Sequence, residues 1–282
     1  MEAAMNRFYY TERLVQRSPF FSSGRRLVFA HRGGGGLAPE NTLAAFDRGL
    51  AAGADGIELD VHLSRDGVVV VHHDRTIDRT TNLRGAVRDH TAAELARADA
   101  GYRFQRDGAF PYRGQGIGVP ALADVLAAHR DTRVIIEMKP NTGEVASAVI
   151  GVVRAANAVE RVCLGSVGLR ALRAARALEP AIATSAAREE VRWALYRSWC
   201  RWPVSRVAYG GYQVPEWSGG THVVSPRFIE AAHGAGLGVQ VWTVDSEDVG
   251  RRLFDWGVDA LITDRPDVIV PVTHPTPEAP EA

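Results

Sequence analysis

Charged and imidazole side chains recur where short apolar runs end. His31 and Arg32 follow "LVFA", and His73 lies just past "VVVV". Glu58 and Asp60 stand two apart in "GIELDVHL", and Glu137 and Lys139 repeat that spacing in "RVIIEMK". Residues two apart on a strand share a face. Two carboxylates on one apolar face repel each other and are costly to bury without a neutralising partner. Glu137 makes a third, and a divalent cation is the economical partner for all three. The donors are oxygens, so Mg²⁺ or Ca²⁺ fits better than zinc. Three carboxylates leave coordination positions for a phosphate oxygen or water. Arg32 and Lys139 are suited to the remaining phosphate oxygens. His31 and His73 supply an acid and a base near neutral pH.

Each element of this set also has an ordinary reading. Glu58 and Asp60 could face basic residues in a salt network, and Glu137 with Lys139 could be a plain buried ion pair. The chain holds nine histidines, so position alone is a weak selector. His62 shares the Glu58 face by parity and His72 adjoins His73, which makes both competitors. The combination at several strand ends favours chemistry.

The elements needed to hold such a set are legible. Short β-branched runs alternate with alanine-rich helical stretches, which favours a parallel sheet with crossover helices. Strands are expected at 26–30, 56–63, 133–139, 161–166, 181–185, 238–244 and 259–264, with a weaker one near 206–214. Helical text separates them, including "NTLAAFDRGLAAG", "EVASAVIGVVRAAN", "LRALRAARALE" and "RFIEAAHGAG". Gly53, Gly236 and Gly257 are natural stops after helices. Eight strands in 282 residues suit an α/β fold of the (β/α)8 TIM-barrel type, which commonly needs about 250. An open doubly wound sheet is the alternative, but no G-x-G-x-x-G follows a first strand. The stretch 74–119 is too long for a plain βα loop. It is read as an insertion subdomain after the second strand, opening with a hairpin strand in "GVVVVHHD" and capping the mouth. The barrel spans 26–270, with an N-terminal extension over 1–25 and a proline-rich tail, expected disordered, over 271–282.

Composition narrows the function classes. Basic and acidic residues balance at 33 each, and 46% of residues are apolar. There is no basic excess of the kind nucleic-acid binding needs. Two cysteines, Cys163 and Cys200, argue against a disulfide framework and for a reducing compartment. Neither a secretory signal nor a run of about 20 apolar residues is present, so a cytoplasmic protein is expected. The region 191–217 holds Trp193, Trp199, Trp202 and Trp217 among several arginines. One reading is a surface that touches lipid. The favoured one is an aromatic helix packed on the barrel, with a loop lining its mouth.

Taken together, "AHRGGGGLAPENTLAAF", "GADGIELDVHLSRDGVVVVHHD", "RTT", "IIEMK", "VWTVDSE" and "WGVDALITDRPD" resemble the glycerophosphodiester phosphodiesterase family, over residues 27–267. The resemblance implies a (β/α)8 barrel with a small insertion after the second strand. It implies hydrolysis of a small-molecule glycerophosphodiester to an alcohol and glycerol 3-phosphate. By position it maps metal ligands onto Glu58, Asp60 and Glu137, and the acid–base pair onto His31 and His73. Phosphate contacts map onto Arg32 and Lys139, and a substrate-side aromatic onto Trp242. Two departures stand out. Asp245 follows "WTV" where the family often has asparagine, adding negative charge near the mouth. Val167 replaces an aromatic after "CLGS", which alters substrate fit on that side. Rival products are those of a lysophospholipase D-type reaction, or of a phospholipase C-like reaction that stops at a cyclic phosphate. The four glycines Gly33–Gly36 are read as letting the backbone turn and approach a bulky anion. Asn41 or Thr42 is expected to cap the first helix.

Overall fold

A computed structural model describes residues 19–21, 23–203 and 207–273. The chain begins with strand β1 (Leu27–Ala30), helix α1 (Leu43–Ala51), β2 (Gly56–Leu63) and β3 (Val69–Val71). Helices α2 (Ala92–Ala96) and α3 (Leu122–Ala128) precede β4 (Arg133–Met138) and α4 (Gly143–Ala155). Then come β5 (Val162–Gly165), α5 (Leu169–Leu178), β6 (Ala183–Thr184) and α6 (Arg188–Cys200). After β7 (Gly211–Pro215), a small antiparallel pair, β8 (Trp217–Ser218) and β9 (Thr221–His222), leads to α7 (Pro226–Gly234). The chain ends with β10 (Gly238–Trp242), α8 (Glu247–Asp255), β11 (Ala260–Thr263) and α9 (Pro266–Ile269).

Eight parallel strands pair in the order β6–β5–β4–β2–β1–β11–β10–β7. A single parallel bridge from Ser185 to Gly211 joins the two ends. The result is a nearly closed (β/α)8 barrel, the TIM-barrel architecture expected. Strand alternation sorts the side chains. Ile57, Leu59 and Val61 of β2 and Val134, Ile136 and Met138 of β4 face the helices in one apolar cluster. The opposite parity, carrying Glu58, Asp60 and Glu137, faces the barrel interior. Parallel register sets Asp60 directly beside Glu137.

The N-terminal boundary needs correcting. Phe20 and Phe21, expected in an extension outside the barrel, are buried with Leu27, Phe29, Ile135, Cys163 and Ile262. They plug the end of the barrel opposite the strand C-termini. Gly211 and Gly238 make room: a Cβ on Gly211 would lie 2.5 Å from the Phe21 ring. The rest of the extension, residues 1–18 and 22, lies outside the described residues. At the other end, Val270–Thr273 forms a 3₁₀ turn with Val272 buried. Order therefore persists past 270, and residues 274–282 fall outside the described residues.

The segment 74–119 has a small apolar cluster of its own, including Ile77, Val87, Leu95 and Val119 against Val70 of β3. A capping box between Thr91 and Glu94 starts α2. The strand opening this segment is antiparallel to β2, with Val61 opposite Val71. Several expected strands are one or two residues too long, and the one at 181–185 shrinks to Ala183–Thr184, with Ser185 adding only the bridge to Gly211. The glycines behave as stops: Gly53, Gly236 and Gly257 have φ of 95°, 75° and 100°.

Candidate active site

β2 supplies the centre of the site. Asp60 is buried and touched by three groups. Lys139 Nζ is 2.7 Å from Oδ1, Arg32 Nε is 3.4 Å from Oδ2, and Asn41 Nδ2 donates to Oδ2 at 2.8 Å. Asn41 Oδ1 also accepts the Asp60 backbone N–H. Burial works to raise the Asp60 pKa, but Lys139 and Arg32 outweigh it and hold the carboxyl below its ordinary value. Asn41 is thus a clamp and not a cap; Thr42 caps α1, accepting from Ala45 N. Asn41 has the left-handed φ of 59° that asparagine tolerates best after glycine. Its role follows a family of short polar side chains at strained turns, which sequence could have flagged but not aimed.

Glu58 and Glu137 lack such neutralisation. Burial, then repulsion from Asp60, pushes Glu58 up to about 7. Burial also lifts Glu137 to about 7; Lys139 opposes the rise, while Asp60 and Glu58 add to it. Glu58 Oε2 accepts the Arg32 backbone N–H at 3.0 Å. Beside Glu137 stands Gly165, where a Cβ would come within 2.7 Å of Oε2, so that glycine keeps the space around the carboxylate. Among the described residues no three acidic or imidazole side chains form a ready ion cage. Lys139 and Asn41 already engage the oxygens of Asp60.

Both predicted histidines are braced in the same way. His31 Nδ1 is 2.8 Å from Asp264 Oδ1, and His73 Nδ1 is 2.6 Å from Asp74 Oδ1. A carboxylate can only accept, so Nδ1 carries the proton. The Nε2 atoms are left for other work. His31 Nε2 lies 3.9 Å from Glu58 Oε2. Burial opposes protonation of His31, but Glu58 and Asp264 together raise its pKa. His62 and His72 instead bond backbone carbonyls, of His73 and Thr76. Burial lowers both their pKa values, so the competitors are structural.

The partners were missed by sequence reasoning. Asp264 lies in "ITDRPD" at the end of β11, next to β1 in the sheet, 233 residues from His31. Asp245, expected to add charge at the mouth, accepts from Thr263 Oγ1 and Asp264 N. It fixes the turn that presents Asp264. Glu40 and Arg79 were missed too. Arg79 bonds both oxygens of Glu40 at 2.7 Å and Asp74 Oδ2 at 2.6 Å, and Glu40 also accepts from Arg32 at 3.0 Å. One guanidinium therefore joins the supports of His73 and Arg32.

The glycine run is only in part as expected. Arg32, Gly33 and Gly34 have φ of 51°, 87° and 90°, which makes the sharp turn. The close approaches, however, are to the protein. A Cβ on Gly33 would meet the α1 backbone at 2.7 Å, and one on Gly36 would meet Arg265 at 2.7 Å. Trp242, 41% exposed, ends β10, and Val167 is also exposed after β5.

Charge at this mouth is unbalanced. Glu40, Glu58, Asp60, Asp74, Glu137 and Asp264 face Arg32, Arg79 and Lys139. Such a surplus repels an anionic phosphodiester, and a bound divalent cation would offset most of it. Carboxylate oxygens are the donors a hard cation favours.

The glycerophosphoryl diester phosphodiesterase family matches residues 31–268 of this chain. A glycerophosphodiester phosphodiesterase of Caldanaerobacter subterraneus subsp. tengcongensis is 34% identical over 251 residues, covering 87% of this chain and 97% of its own. The crystal structure of a glycerophosphodiester phosphodiesterase from Agrobacterium tumefaciens superposes with a TM-score of 0.72 at 29% identity, over 87% of this chain and 99% of that one. A phosphodiesterase from Oleispira antarctica, solved in complex with the product sn-glycerol-3-phosphate, gives a TM-score of 0.71 at 26% identity, over 89% and 97%.

Proposed function

The chain belongs to the glycerophosphoryl diester phosphodiesterase family, and on that premise we propose that it hydrolyses glycerophosphodiesters with His31 and His73 as its acid–base pair and a divalent cation as cofactor. The observation carrying this reading is the matched bracing of two imidazoles. Each is held through Nδ1 by an aspartate, which leaves Nε2 outside that bond, and Nε2 of His31 stands 3.9 Å from Glu58 Oε2.

Glu58, Asp60 and Glu137 would hold Mg²⁺ or Ca²⁺. When bound, the cation neutralises that anionic pocket and polarises a phosphate oxygen. Arg32 and Lys139 bind other phosphate oxygens; Lys139 uses one of three donors on Asp60 and has others to spare. One imidazole takes the proton from the attacking oxygen. The other gives a proton to the departing alcohol, so that glycerol 3-phosphate and the alcohol leave. Asp264 and Asp74 fix the tautomers and stabilise the imidazolium that each histidine becomes in turn. Arg79 holds Asp74 and Glu40 in place, and through them His73 and Arg32. Trp242 lines the substrate side of the mouth. The attacking oxygen is either water or the glycerol hydroxyl of the substrate, the latter by way of a cyclic phosphate; labelled-oxygen water with product analysis separates the two.

The test is release of glycerol 3-phosphate from glycerophosphocholine and glycerophosphoethanolamine, with Mg²⁺ or Ca²⁺. His31→Ala and His73→Ala are each expected to lose roughly 10²–10⁴-fold in kcat, with the fold retained by circular dichroism. Chelator is expected to abolish turnover. Full activity of either variant, or of the parent in chelator, refutes the corresponding part.

A further inference from the structure

The outer face of α6 is aromatic and open. Trp193 is 69% exposed, Tyr196 49%, Trp199 50% and, just past the helix, Trp202 67%. These side chains were expected to pack on the barrel; the face that does so is Ala194, Leu195 and Ser198. Three of these rings form a continuous stripe. Trp193 meets Tyr196 edge to face at 6.3 Å, and Tyr196 meets Trp199 likewise at 5.5 Å. Soluble surfaces rarely carry so large a connected apolar patch without a partner.

Arginines surround the stripe. Arg188, Arg192 and Arg201 are exposed along α6, and Arg170 and Arg173 are exposed on α5. The two helices are neighbours, since Arg176 of α5 pairs with Glu190 of α6. Glu179 is taken by Arg154, which leaves Glu189 as the exposed acid on this face. The whole chain carries no net charge, so the basic excess here is local.

That charge selects the occupant. In a two-fold dimer the same patch would face itself, and arginine would meet arginine. An anionic lipid surface has the complementary sign, and Trp with Tyr at its boundary is the arrangement the headgroup layer favours. We propose that the outer face of α6, with the α5 arginines, docks the protein on anionic membrane surfaces, with Trp193, Trp199 and Trp202 reaching the headgroup level. Because α6 starts where β6 ends and runs toward the opposite end of the barrel, the stripe lies along the flank of the molecule. The inference goes beyond hydrolysis and does not depend on it.

Vesicle co-sedimentation tests it, with phosphatidylcholine alone and with phosphatidylcholine containing phosphatidylglycerol. Wild type is expected to bind the anionic vesicles, and to release as salt rises. The triple variant Trp193→Ser, Trp199→Ser, Trp202→Ser should bind at least ~10-fold more weakly. The variant Arg170→Gln, Arg173→Gln, Arg188→Gln, Arg192→Gln should lose the preference for phosphatidylglycerol. Both should keep wild-type turnover of soluble glycerophosphocholine, which shows that they fold. The proposal is overturned by wild type failing to bind anionic vesicles at low salt, or binding both vesicle types equally. Undiminished binding by the aromatic variant overturns it as well. So does self-association without vesicle binding that the aromatic variant abolishes, which would give the face to a second copy.

Discussion

Glu58 and Glu137 each sit near half-protonation at neutral pH, with pKa values of about 7 against an ordinary 4.5. A carboxyl raised in the folded state makes folding take up protons between those two values. Its stabilising effect is complete below the unfolded pKa and is lost as pH rises through the folded one. Cation-free protein should therefore become less stable between about pH 6.5 and pH 8, above the range in which the lowered pKa values of His62 and His72 work the other way, read as a falling urea midpoint. Mg²⁺ or Ca²⁺ should remove that fall, and cation binding at pH 7 should release on the order of one proton, measured by calorimetry in buffers of different ionisation heat. A midpoint that climbs over this range without cation would contradict the burial and repulsion described here. The side chains gathered at the mouth were legible in the sequence because they lie in or just past apolar runs, and parity sets the face of those on β2 and β4. Their partners were not. Asp264 and Asn41 gain meaning only when β11 and the β1–α1 loop converge on the site, while Asp74 adjoins His73 in sequence and nothing in that sequence shows that it turns back onto the ring.

Among the connections between elements, Arg79 has the widest reach. It lies in the segment after β3, yet it grips Glu40 in the β1–α1 loop as well as Asp74 beside His73. If His73 moves protons and Arg32 holds phosphate as proposed, Arg79→Ala should lower kcat more than it raises KM, since it supports both. Equal loss in KM alone would argue against this. A second readout is acid stability. Burial opposes the effect, but Arg79 and Arg32 hold Glu40 low, and Arg79 and His73 hold Asp74 low. Their contribution is present above the ordinary carboxylate pKa and lost as pH falls below it. Wild type should thus lose melting temperature more steeply than Arg79→Ala on acidification below about pH 5. The strands and main helices could be anticipated because the 2.0 and 3.6 periodicities are strong in "GIELDVHL" and "EVASAVIGVVRAAN". The β8–β9 pair could not, nor could the shortness of β6 within the strand expected at 181–185, since pairing that short depends on neighbours and not on propensity.

At the scale of the molecule, the chain must close both ends of its barrel with what it has. One end keeps polar groups for chemistry; the other is filled by Phe20 and Phe21, stacked and edge-on against each other and Phe29. Phe20→Ala should cost about 3–5 kcal/mol in urea denaturation while leaving KM unchanged, because the plug is remote from the mouth. A loss below about 1 kcal/mol would mean that the plug is not part of the core. The plug was hidden in the sequence because "SPFF" precedes the first recognisable strand and has no periodicity of its own. The ring of strands, finally, meets across a narrow join. Ser185 and Gly211 bridge there, and Ala186 and Gly210 add one hydrogen bond each, to Gly211 and Thr184. A cask with one thin seam yields along that seam, and α6 is the stave beside it. The amides of Ala186 and Gly210 are therefore where exchange with heavy water should first report the staves parting.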